Sequence, residues 1–207
     1  MKNDEPMKNK LANIISSTFH PLLIPLYGIT SLLSLRYFFF YSFFQKLYII
    51  FIIGIFTCVL PLAFLVLLKM TGYVSDWRVN KREERYPVYI VSLISYLLCI
   101  YVLWRLRIPL WVLSLAICVF AAVLAIGVIN LFWKISIHAT AAGCLAGGTL
   151  HTAILLHFNP MWFFISVLFF GGVILAARLQ LFAHSLPQVL SGYVIGVFFT
   201  AILPFFL

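Results

Sequence analysis

From Leu11 onward, apolar residues follow one another in long runs, and polar residues are confined to short breaks between them. The runs cover about 12–35, 46–70, 88–104, 109–132, 139–156, 161–177 and 189–206, each near the ~20 residues that an α-helix needs to cross a ~30 Å hydrocarbon core. The pattern predicts an all-α, polytopic transmembrane bundle of six or seven spans, six if one run is re-entrant or lies at the surface. Arg105, Arg107 and Pro109 mark a tight hairpin between the third and fourth runs. Asn159-Pro160 reads as a helix N-cap followed by Pro at the first helical position. The polar segment 1–10 reads as a cytoplasmic tail, not a signal peptide, and 11–207 as one membrane-embedded domain.

Two stripes of small residues recur every four positions. Gly143, Gly147 and His151 form one, a close-packing face that turns His151 into the bundle. Gln188, Gly192 and Gly196 form the other.

Composition agrees with the pattern. Of 207 residues, 64% are hydrophobic and 9% charged, with a mean hydropathy of +1.12. A soluble domain carries about 25% charged residues, so a water-soluble globule and a disordered chain are both excluded. The net charge of +9 invites nucleic acid as a partner. The basic residues, however, sit in separate short breaks and make no continuous basic face, which excludes it. Cys58, Cys99, Cys118 and Cys144 lie inside apolar runs without metal-ligand spacing and read as small packing residues.

Three polar islands remain. The first, 71–87, holds Asp76, Arg78, Lys81, Arg82, Glu83, Glu84 and Arg85; the second is Trp133–His138; the third is Arg178–Gln188. Two runs separate the first island from the second, and two more separate the second from the third. An even number of crossings returns the chain to the same side, so the basic residues and histidines of all three islands can converge. No Asp or Glu occurs after Glu84. Cations gathered at a membrane face are costly without an anionic partner, and a phosphate or diphosphate ligand supplies one.

Each residue also has a structural reading. Arg178 ends a run, where a cation favours the helix C-terminus and can snorkel. Ser136 suits an N-cap, and a helix N-terminus also receives anions. Ser185-Leu186-Pro187-Gln188 has the form of a capping box, while His184 lies within reach of Gln188. His20, His151 and His157 read as packing or interfacial histidines.

Taken in order, these residues resemble the motifs of the type 2 phosphatidic acid phosphatase family, which shares its active site with vanadium haloperoxidases. The first family motif is a basic residue, six spacers and Arg-Pro, matched here by Arg78 and Arg85 with Pro87 displaced by Tyr86. Pro-Ser-Gly-His stands as Ile135-Ser136-Ile137-His138. Ser-Arg, five spacers, His, three spacers and Asp stands as Ala177-Arg178, His184 and Gln188. The resemblance covers about residues 70–200. It implies a membrane phosphatase without metal or other cofactor, acting on a lipid phosphate or diphosphate. In it His184 is the nucleophile, forming a phosphohistidine, and His138 the acid. Gln188 stands where the family's Asp partners the nucleophile, and Arg78, Arg85, Ser136 and Arg178 hold the phosphoryl oxygens. Phosphoryl transfer needs chiefly positioning and charge stabilisation, which arginine forks supply. The departures at Ile135, Ile137, Ala177 and Gln188 imply reduced activity, and leave a weakly catalytic lipid-phosphate binder as a second expectation. A small anion transporter is a third, opposed by the absence of charge in mid-run. The expected place is the cell membrane. Lys and Arg are richer on the motif side than on the side of Arg36, Lys46, Arg105 and Arg107, which puts the motifs in the cytoplasm; the resemblance implies the opposite face.

Overall fold

The computed structural model describes residues 4–75, 79 and 83–202. The described residues are 81% helical, and no strand occurs among them. The helices in order are α1 (Asp4–Thr18), α2 (Ile24–Ser34), α3 (Phe43–Gly54), α4 (Leu60–Met70), α5 (Arg85–Arg105), α6 (Leu110–Asn130), α7 (Ile137–Leu155), α8 (Met161–Gln180) and α9 (Leu186–Val197). Among the described residues, four helical stretches are long and apolar enough to cross a membrane: Phe43–Met70, α5, α6 and α8. Ile24–Ser34 and Leu186–Ile202 are shorter apolar helices. Large apolar side chains coat the outside, among them Phe44, Phe51, Trp104, Leu110 and Phe169. Only 22% of the most apolar stretch of α6 is buried. Such a surface suits lipid and would aggregate in water.

The first apolar run, 12–35, is not one helix. It breaks at residues 19–23 into α1 and α2. Pro21 and Pro25 each remove a backbone donor, and His20 Nδ1 accepts from Leu22 N at 3.4 Å within the break. The helix α1 also begins inside the polar segment 1–10 and packs along α8. By contrast, the run 46–70 is longer than its pattern, starting at Phe43 behind the Ser42 N-cap, whose hydroxyl accepts from Gln45 N. A π-helical turn, Ile55–Val59, joins α3 to α4. Pro61 explains where its bonds go. In an i to i+5 pattern Phe56 O would accept from residue 61, which has no N–H. Ser95 on α5 donates its hydroxyl to that carbonyl instead. The expected cap at Asn159 is shifted by one residue: α8 starts at Met161, whose N–H bonds Asn159 Oδ1 at 3.0 Å.

The two small-residue stripes meet each other. A Cβ added at Gly192 would stand 2.7 Å from Ser136 O, and one at Gly147 would stand 2.7 Å from Val197 O. Gly143 and Gly196 are tighter still, against the backbones of Tyr193 and Thr140. The helices α7 and α9 therefore pack backbone to backbone, as small-residue faces allow. His151 is buried within the bundle, 2.9 Å from Ser114 Oγ. Cys58, Cys99 and Cys118 are buried packing residues.

Candidate functional site

The described residues of the three polar islands come together at one end of the bundle. Arg85 is the first residue of α5 and is 4% exposed. Its Nε donates to Val79 O at 2.9 Å and its Nη1 to Ile135 O at 3.1 Å. One guanidinium thus ties the first island to the second. Val79 has φ of +46°, a strained conformation for a β-branched residue; its side chain is buried against Leu65 and Val74, which holds it there. Glu84 steadies the same segment by accepting from Ser75 N at 3.0 Å and Ser75 Oγ at 2.8 Å. The second island joins the third through the backbone, with Ser136 N donating to Gln188 O at 3.3 Å.

Arg178, in the last turn of α8, is 3% exposed and donates from Nη1 to Ser16 Oγ at 3.2 Å. His138 bonds through Nε2 to Ser16 O at 3.1 Å. A carbonyl only accepts, so Nε2 carries the proton. His184 follows α8 and is 7% exposed. Its Nδ1 lies 3.2 Å from Gln188 Oε1, and the same oxygen accepts from Ser185 N at 3.1 Å. The Ser185 donor fixes that amide atom as oxygen, so the His184 proton is on Nδ1 and its Nε2 lone pair is free to act as base or nucleophile. Burial first, then Arg85, Arg178 and Lys134, push the His184 pKa down to about 3, against a smaller upward pull from Gln188. Burial, then Arg85 and Arg178, lowers Lys134 as well.

Arg85, His138, Arg178 and His184 border a single cavity. Beyond them its walls are mostly apolar, including Leu32, Ile53, Val112, Leu115 and Leu145, with Thr57, Ser92, Thr140 and Thr149 among them. Ser136 and Gln188 stand behind this lining. Ser136 is fully buried and caps α7, accepting from Ala139 N at 3.4 Å. Gln188 serves both its helix and His184. Arg78 lies outside the described residues.

Two further residues belong here that the apolar pattern hid. Ser16 touches both Arg178 and His138, and His20 lines the cavity with its ring 5.9 Å from that of His138. Burial, then Arg178, lowers the His20 pKa. The signal available for them was the polar interruption Ser16-Ser17-Thr18 with His20-Pro21 inside an apolar run.

Chemically, the site offers fixed guanidinium donors, an imidazole of defined tautomer and a second imidazole lining the same mostly apolar cavity. Among the described residues no three His, Cys, Asp or Glu side chains gather to hold a metal. No protein-family model, curated protein or solved structure matches this chain.

Proposed function

We propose that the protein is a cell-membrane phosphatase that hydrolyses a lipid phosphate or diphosphate through a phosphohistidine, without a metal. One observation carries the reading: Arg85, Arg178, His138 and His184 line a cavity whose remaining walls are mostly apolar, a lining that suits a phosphate on a hydrocarbon tail. His184 Nε2 attacks phosphorus as the bond to the lipid oxygen breaks. His138, carrying a second proton on Nδ1 taken up with the anionic substrate, protonates that oxygen from Nδ1 and keeps Nε2–H on Ser16 O. Water then attacks the phosphohistidine, gives a proton back to His138, and orthophosphate leaves. Arg85 and Arg178, with Arg78, neutralise the equatorial oxygens throughout. Gln188 keeps the His184 proton on Nδ1.

The same reading gives the chain seven crossings. Four are the long helices; α7, Leu186–Ile202 and the segment through α2 make the rest. Support for the last comes from its two ends. His20 lies with the site, whereas Phe38 packs on Trp111 at 5.0 Å and Phe158 at 5.7 Å, beside the start of α6 and the end of α7. At 1.5 Å per residue, α2 alone covers only about 16 Å, so the chain on either side completes the passage.

The test is phosphate release by purified protein in detergent from phosphatidic acid, phosphatidylglycerol phosphate and a polyprenyl diphosphate, with and without EDTA. Release that survives EDTA and is inhibited by vanadate is expected. Loss in EDTA with rescue by Mg²⁺ would sink the metal-free mechanism. Vanadate binding without release from any lipid would leave a binding protein.

A further inference from the structure

The N-terminal helix meets the site from outside all three islands. Ser16, near the end of α1, is 4% exposed and has two bonds into the site. Its hydroxyl oxygen accepts from Arg178 Nη1 at 3.2 Å, and its carbonyl accepts from His138 Nε2 at 3.1 Å. A hydroxyl has one donor hydrogen as well as its acceptor lone pairs. Because a guanidinium can only donate, the Ser16 hydrogen is turned away from Arg178, and among the described residues it has no acceptor. Four residues on, His20 lines the same cavity. Its Nδ1 accepts from Leu22 N at 3.4 Å, which puts the His20 proton on Nε2.

We propose that Ser16 is a positioning residue of the anion site: from behind the cavity lining its hydroxyl oxygen sets the Arg178 guanidinium in place and its carbonyl sets the His138 ring. The end of α1 thus braces the site. This rests on the phosphatase reading given above.

The test is vanadate binding by the full-length protein in detergent, measured by titration calorimetry, with melting temperature recorded on the same samples. Variants are Ser16→Ala, Ser16→Thr and Ser16→Cys. Loss of a hydrogen bond to a charged group predicts about 10-fold weaker vanadate binding for S16A. S16T keeps the hydroxyl and retains affinity. S16C keeps the volume with a weak acceptor and falls between them. A role only in packing would lower the melting temperature of S16A and leave its vanadate affinity unchanged, and that result overturns the inference. If S16A does not fold, equal affinity of S16C and wild type overturns it in the same way. Wild-type protein that binds no vanadate overturns the phosphatase reading itself, a separate outcome.

Discussion

At the scale of single residues, the most informative atom is Gln188 Oε1, which accepts from His184 Nδ1 and Ser185 N together. The S-x-x-Q spacing predicts the cap and the H-x-x-x-Q spacing predicts the histidine contact; the structure shows both on one oxygen. Gln188→Ala is therefore expected to lower turnover by about 10-fold or more and also to cost about 1 kcal/mol of stability. Turnover and melting temperature on one preparation read both, and an unchanged rate would leave Gln188 as a cap alone. His184→Ala is expected to abolish phosphate release in a folded protein; release at the wild-type rate would remove His184 as nucleophile. His138→Ala should be severe for poor leaving groups and milder for a nitrophenyl ester, where protonation matters less. Equal losses for both would argue against an acid role. What the sequence did not reveal at this scale has a physical cause. Ser16 and His20 act across long sequence separations, and a helix break within an apolar run conceals polar residues that face inward.

Among the helices, the spacing of small residues was a faithful guide. The stripe at Gly143 and Gly147 and the stripe at Gly192 and Gly196 were each visible alone, but their meeting was not, because periodicity on one helix does not name its partner. Gly196→Ala should lower the melting temperature markedly, since its Cβ would collide with backbone on α7. Gly172→Ala is the control: a Cβ there meets nothing within 4 Å, so stability should hold or rise slightly. A melting temperature equally unaffected by both would contradict the contact. Helix ends were less legible. The ends of apolar runs follow composition, whereas the observed ends follow Pro21, Asn159 and the Ser42 cap.

For the molecule as a whole, burial and positive charge together lower the pKa of His184 and of His20. Both have folded-state pKa values below the ordinary histidine value of 6.5. The unfolded chain takes up protons at these residues first as pH falls. Their linkage therefore leaves stability intact above about 6.5 and removes it progressively from there toward about 3. Melting temperature in detergent against pH should decline across that window, and less so in His184→Gln; a flat profile would show that the site is open to water. Bound vanadate should reverse part of the decline, since an anion favours protonated histidine.

The join of α7 to α9 has a mechanical consequence. His138 opens one of these helices and His184 immediately precedes the other, while Ser136 and Gln188 are bonded through their backbones. Both imidazoles thus ride on a single stiff block, and the clearance between them is set once, when the protein folds. If the protein turns over a lipid phosphate as proposed, whatever yields to admit it lies outside this block, and substitutions elsewhere can change the pace of the cycle without disturbing the spacing of the two rings.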